Sequence, residues 1–344
     1  MRRRRSAPGY RATTGLTAGM LLALLAAPLA AEDVVYTEGK SEVRYSSGEQ
    51  YEAQIGDVLA TGDSVRTGDD GLVELDKENA TIRIAPGTVF TITETVDASG
   101  PRSTLSVALG AARFKFGRFS GAEPRISTMS VVVGVRGTEF SVYAGADGST
   151  AITVDEGSVE LVAAGERVTL AAAEGAEVRP GAPPGEKFDF SSGEFDFSGW
   201  NADLEAAMLA DPVAALRQVE AQLDLFIGEL RALAPRFERE RAQLDQVTER
   251  LRAITDTEER GTFYRSTVLP QEEITYELAI NTRFNALSAL SLRRFVAGRI
   301  YMKLKGQALS GPPTPAYQQY LRDHARLLAK FEREIVPHLV VADI

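Results

Sequence analysis

Two stretches of the chain decide the expected fold: ISTMSVVVGVRGTEFSV over residues 126–142 and ITVDEGSVELV over residues 152–162. Within them, at residues 140–143, 152–154 and 159–161, β-branched and aromatic residues alternate with polar ones, which is the period of two that a half-buried strand requires. Gly134 and Gly137 bracket a tight passage where a positive φ or a close backbone approach is expected, and Phe140 then faces the core.

The same alternation extends outward from these stretches over residues 34–178, in short apolar runs separated by Gly and Asp turns. One such turn is expected at Asp155–Gly157, between two half-buried strands. Short strands at intervals of roughly 8–12 residues indicate an all-β fold, either a short-strand solenoid or roll, a barrel, or a sandwich.

From about residue 202 the apolar period changes from two to 3.5, which predicts helices. The longest run steps by three and four residues from Leu216 to Ile254, and Pro235 within it predicts a kink or a break. Two further helices are expected at about 271–306 and 315–336, separated by the Pro-rich stretch 311–315. These helices can pack on one another as an internal bundle or form a coiled coil with a second copy of the chain, and the sequence does not decide between these arrangements.

The sequence therefore predicts an α+β protein with segregated domains. An N-terminal all-β domain precedes a C-terminal helical bundle or coiled-coil region. The predicted segments are a signal peptide at 1–31, the β domain at 32–181, a Pro/Gly and aromatic linker or strap at 182–200, and the helical domain at 201–340. Because five large aromatic residues of the linker region would be costly to leave in water, a docked strap is favoured over a flexible tether.

The first 31 residues contain an Arg-rich start, an apolar run and a small-residue end, in the order of a secretory signal peptide. We therefore expect export to the periplasm or beyond, with cleavage after Ala31 and no membrane span thereafter. The alternative is an uncleaved anchor. The net charge of -10 disfavours nucleic-acid binding, and the chain has no cysteine for a disulfide or a thiolate metal site.

Two passages resemble the FecR domain family: GDSVRTG at residues 62–68, and GVRGTEF at 134–140 followed by the EG pair that ends at Gly157. The resemblance covers about residues 34–181 and does not reach the helical half. It implies a non-enzymatic extracytoplasmic β module. The best-known members join this module through one membrane helix to a cytoplasmic anti-sigma segment. Only about 15 residues precede the apolar run here, so a transmembrane sigma-regulator plan is not expected. The motif residues, interpreted as architectural, are Gly134, Arg136, Gly137, Thr138, Glu139, Phe140 and Gly157.

Catalytic motifs are missing from the sequence: there is no GxSxG elbow, no P-loop and no HExxH. The two histidines, His324 and His338, lie on or at the end of a helix, where packing or capping roles are expected. No catalytic, cofactor-binding or metal-binding residue is therefore predicted, and Arg136 is expected to pair with Glu139 or with a partner carboxylate.

The function expected from the sequence is an exported, non-enzymatic binding or scaffold protein of the bacterial envelope. Its partner would be a protein or an envelope glycan, and its helices could support a homo-oligomer. Two alternatives are kept: a signal-transducing FecR-type regulator of a sigma-factor pathway with an uncleaved anchor, and an envelope glycan hydrolase with two facing carboxylates.

Overall fold

The computed structural model describes residues 32–77, 79–97, 100–117, 123–190, 195–308 and 315–339. The predicted signal peptide at 1–31 lies outside these ranges, as do residues 311–314 of the predicted Pro-rich break.

The described part of the first half is built from strands. They are β1 (Glu32–Glu38), β2 (Ser41–Arg44), β3 (Gln50–Glu52), β4 (Val58–Leu59), β5 (Ser64–Thr67), β6 (Leu72–Lys77), β7 (Ala80–Ile84), β8 (Val89–Asp97), β9 (Gly100–Phe116), β10 (Arg125–Ser127), β11 (Val132–Ala144), β12 (Thr150–Ala163), β13 (Glu166–Ala171), β14 (Glu174–Val178) and β15 (Pro184–Asp189). Within the described residues they pair into one sheet, whose main path runs β15-β14-β12-β11-β10-β9-β7-β6-β1-β4. Pairing is antiparallel except where β10 runs parallel to β9.

Two long strands replace pairs of short strands that the sequence predicts as separate. β9 spans 17 residues and β12 spans 14, and each changes partners at a glycine with positive φ. At Gly110 (φ 91°) β9 passes from β8 to β7 and β11, and at Gly157 (φ 81°) β12 passes from β14 to β13. The expected turn at Asp155–Gly157 is therefore wrong: the positive φ makes a bulge within a continuous strand, not a reversal.

The sheet folds around one apolar core that receives side chains from nearly every strand. Phe90, Phe114 and Phe140 are fully buried within it. The rings of Phe114 and Phe140 stack with centroids 5.2 Å apart.

The second half is helical. The helices are α1 (Phe197–Ala210), α2 (Pro212–Ala253), α3 (Thr257–Phe263), α4 (Leu269–Leu292), α5 (Gly298–Ala308), α6 (Pro315–Glu334) and α7 (Val336–Leu339), with π-helical turns at Tyr264–Val268 and Arg293–Ala297. The predicted fold class, an all-β region followed by a helical region, is confirmed. None of the described helices combines the length and apolarity that crossing a bilayer requires.

The helix α2 continues through Pro235, so of the two expectations for this residue the break is wrong, and the kink stays a prediction. Pro235 is exposed, while Leu230 and Phe237 on either side are each 1% exposed. Burial of both flanking segments against the other helices holds the helical path despite the missing backbone donor.

The helices share a second apolar core, with buried side chains from α1, α2, α4, α5 and α6. Late α2 lies beside early α4, where the Gln271 amide donates to the Glu240 carbonyl at 3.0 Å, and Leu223 of early α2 lies beside Leu292 at the end of α4. These helices therefore run antiparallel. Lys330 of α6 contacts Glu220 and Asp224 of α2 at 3.0 and 2.7 Å. Contacts within the chain thus cover the first half of the long apolar stripe of α2.

The segment predicted as a linker or strap packs against the β region. Its strand β15 pairs with β14, and the Phe195 ring lies 4.5 Å from Tyr143 and 5.6 Å from Trp200. The Trp200 indole N–H donates to Glu177 Oε1 at 2.9 Å.

The helix α4 lies on the end of β8. The Asn281 amide binds both backbone groups of Val96, accepting from its N–H at 3.0 Å and donating to its carbonyl at 2.7 Å. The Tyr276 hydroxyl donates to Glu94 Oε2 at 2.8 Å. These hydrogen bonds hold the helical region against the sheet.

Candidate functional site

The GVRGTEF motif lies in β11, opposite the bulge of β12. Gly137 has φ +56° and Gly157 has φ +81°. A Cβ on Gly157 would lie 2.7 Å from both the Gly137 carbonyl oxygen and the Thr138 methyl group. Real Cβ atoms essentially never approach backbone so closely, so this crossing of two strands requires glycine at position 157.

The motif's side chains alternate between the core and the outer face. Thr138 is 2% exposed and Phe140 is fully buried. Gly134 pairs with Arg125 on one side and Glu160 on the other, at the centre of the sheet. The architectural interpretation of the motif remains a prediction.

Glu139, on the outer face, is paired with residues of β9. Its carboxylate accepts from Arg113 at 2.8 and 3.0 Å and contacts Lys115 Nζ at 3.0 Å. Burial alone would raise the pKa of Glu139, but the hydrogen bonds and charges of Lys115 and Arg113 outweigh it and hold the pKa below its usual range. The side chain of Arg136 lies outside the described part of the structure, so its pairing also remains a prediction.

The other motif, GDSVRTG, places a carboxylate inside a turn. Asp63 is 4% exposed, and its two oxygens accept from the backbone N–H groups of Ser46 at 2.7 Å and Ala60 at 2.9 Å. Both carboxylate oxygens of Asp63 are thus used to stabilise the turn before β5.

A cleft of about 400 Å³ lies where α4 leaves the sheet. Its lining comes from both halves of the chain. One wall is formed by the turn after β2 and by β5, β8 and β9, and the other by α4 and the π-helical turn that follows it. Ligand sites commonly occupy clefts of this size between domains.

Glu94 is a carboxylate in the cleft wall and is 5% exposed. Its Oε2 accepts from Tyr276, while its Oε1 has no hydrogen-bond partner among the described residues. Burial raises the pKa of Glu94, and the hydrogen bond from Tyr276 partly offsets this rise.

Three arginines also line the cleft: Arg44 from β2, Arg283 from α4 and Arg294 from the π-helical turn. All three are exposed. Arg294 lies over the Phe295 ring, 5.3 Å from its centroid.

Of the two histidines, His324 packs among aromatic rings and His338 lies in the short helix α7. His324 is stacked between Tyr301 and Tyr320, with ring centroids 5.2 and 5.5 Å away. Burial, and then the charge of Arg293, lower its pKa. No group of His, Cys, Asp and Glu suited to a metal ion is found in the part of the chain that the structure describes.

Sequence reasoning missed the cleft because its walls come from distant segments. Glu94 and Tyr276, which meet in space, are 182 positions apart. No short motif marks such a site, and the only local indication was the apolar period of α4.

Residues 63–160 match the family model described as FecR protein, so the resemblance to the FecR domain is confirmed there and does not extend to the helical half. Two solved structures of a "putative anti-sigma factor" from Parabacteroides distasonis ATCC 8503 share 19% identity over 37% of this chain, with TM-scores of 0.31 and 0.32. The match spans 59% of the length of those structures. No curated protein matches the chain.

Proposed function

We propose that the protein is a signal-transducing regulator of the FecR type, which acts outside the cytoplasm by protein contact. The observation that carries the proposal is the FecR match at residues 63–160, because that family is regulatory and not enzymatic. The match favours this regulatory role over the passive binding scaffold, and over the glycan hydrolase, that the sequence also suggested.

The attachment of the helical region supports the proposal. The FecR-like sheet and α4 share the hydrogen bonds at Val96 and Glu94 and line one cleft together. A ligand bound there contacts both halves at once, so binding energy can change the position of α4 relative to β8. Regulation requires such a coupling between a receiving surface and a responding element.

We infer an envelope location from the Arg-rich and apolar segment at residues 1–31, which would act either as a removed signal peptide or as a retained anchor. N-terminal sequencing of the protein from envelope fractions separates the two, because cleavage after Ala31 leaves Glu32 as the first residue.

Deletion of the gene tests the regulatory role. We expect the deletion strain to show a confined change in transcripts, as a sigma-factor pathway would give, and the intact gene to restore the parental profile. Whole-transcriptome sequencing measures both. An unchanged transcript profile, together with loss of an envelope crosslinked complex, would contradict regulation and support the scaffold.

A further inference from the structure

The cleft between the sheet and α4 has walls of different chemistry. The α4 wall is mainly apolar, although Ser288 and Ser291 also line it, and the sheet wall carries hydroxyl groups. The apolar side chains are Ile280, Phe284, Leu287 and Phe295, and the hydroxyls belong to Ser64, Thr91, Thr93 and Ser106. Such a cleft suits a ligand with an apolar side and a hydrogen-bonding side.

The rim of the cleft is positively charged, although the protein as a whole carries a net charge of -10. Arg44, Arg283 and Arg294 are exposed there, and within the described residues none of the three forms an ion pair. Three unpaired guanidinium groups around one cleft favour an anion.

Glu94 adds the requirement that the ligand also carry a hydrogen-bond donor, which simple anions lack. Its Oε1 has no partner among the described residues, and a buried acceptor without a donor is costly. A ligand with an N–H or O–H group can supply the donor through a small shift of this side chain. Fatty acids and fully ionised phosphates lack that donor, whereas a peptide has backbone N–H groups.

We propose that this cleft binds an acidic peptide segment of a partner protein. An apolar side chain of the segment packs on Phe284 and Leu287, its carboxylates face the three arginines, and its N–H groups face Glu94. The inference deepens the proposed function, on which it rests for the existence of a protein partner.

Two single substitutions, one on each wall, test the binding. Arg44→Glu and Arg283→Glu reverse charges at exposed positions, so folding is expected to be unaffected. The matched control is Arg241→Glu, an exposed position on α2 away from the cleft with the same charge change. The circular dichroism spectra of the three variants should match that of the unaltered chain.

The probe is a phage-displayed library of random heptapeptides, selected on the full exported chain. We expect enriched peptides that combine Asp or Glu with large apolar residues. The dissociation constant of a synthesised member should rise roughly tenfold or more in Arg44→Glu and in Arg283→Glu, and should not change in Arg241→Glu. Fluorescence anisotropy measures the constants.

Several results overturn the proposal. They are enrichment no greater than in the starting library, enriched peptides without acidic residues, and affinities that Arg44→Glu and Arg283→Glu leave unchanged. Binding of polygalacturonate or of phosphatidylglycerol vesicles that both substitutions abolish, without any peptide enrichment, reassigns the cleft to a glycan or a lipid. Because these measurements are made on purified protein, they can fail while the transcript response to gene deletion remains, and the reverse also holds.

Discussion

Replacing Gly157 with alanine tests whether the motif pair Gly137–Gly157 is a structural crossing point. Gly165 provides a matched control because it has the same φ of +81° and nothing within 4 Å of its added Cβ. A left-handed conformation costs an L side chain about 1–2 kcal/mol, and both variants incur this cost. The loss of unfolded-state entropy on Gly→Ala also applies to both and cancels in the comparison.

Only Gly157→Ala adds a steric overlap. Its Cβ meets the Gly137 carbonyl oxygen and the Thr138 methyl group, each at 2.7 Å, so β11 or β12 must shift. Overpacking of this kind typically costs about 1–3 kcal/mol. We therefore expect Gly157→Ala to lower the free energy of unfolding by about 1–3 kcal/mol more than Gly165→Ala.

Urea unfolding of the purified protein measures the difference, followed by circular dichroism and by the fluorescence of Trp200, the one tryptophan of the chain. Both probes should report a lower midpoint for Gly157→Ala than for Gly165→Ala. Equal midpoints would refute the close-approach argument. Unchanged stability combined with loss of the transcript response would instead assign the motif a role in partner recognition.

Two further substitutions test the buried Glu32 of the sheet and the contact that Asn281 makes between α4 and β8. Burial raises the pKa of Glu32 to about 7, with Lys77 partly opposing the rise. The folded state therefore holds this proton more tightly than the unfolded state does. The resulting stabilisation is complete below about pH 4.5 and is lost as the pH rises through 7. Between pH 5 and pH 8 the unaltered chain should therefore lose about 3 kcal/mol of unfolding free energy, and Glu32→Gln should remove this loss, in a chain that keeps residues before position 32. Urea midpoints at the two pH values measure it. A fall of the midpoint that is equal with and without the substitution would contradict this account. Asn281→Ala removes both hydrogen bonds to Val96 and should cost about 1–3 kcal/mol locally. Hydrogen exchange should accelerate at Val96 but not in β11, whereas Asn285→Ala, which loses only a bond within α4, should leave Val96 protected.

The order of the two halves was predictable because side-chain periodicity is a local property. A period of two over residues 34–178 and a period near 3.5 beyond residue 202 reflect which face of each element is buried. The FecR resemblance was carried by glycines and a carboxylate that local backbone geometry needs, as Gly157 and Asp63 show.

Local patterns were less informative about where strands and helices end. Gly157 was expected to reverse the chain, yet a positive φ serves a bulge as well as a turn, and pairing with β11, β13 and β14 selected the bulge. Pro235 was expected to kink or interrupt a helix, yet the helix continues through it because the burial of Leu230 and Phe237 outweighed the local penalty. In both cases contacts distant in sequence decided between conformations that the residue itself permits.

By itself, the sequence determined the fold class, the order of the two regions and the resemblance of the first to the FecR domain, because each depends on patterns within a few neighbouring residues. Only the tertiary structure decided that α4 lies against β8 and that Arg44, Glu94 and Arg283 line one cleft. The physical reason is that charge and hydrogen-bonding complementarity between residues nearly 200 positions apart exists only after both cores have formed and fixed the two surfaces face to face.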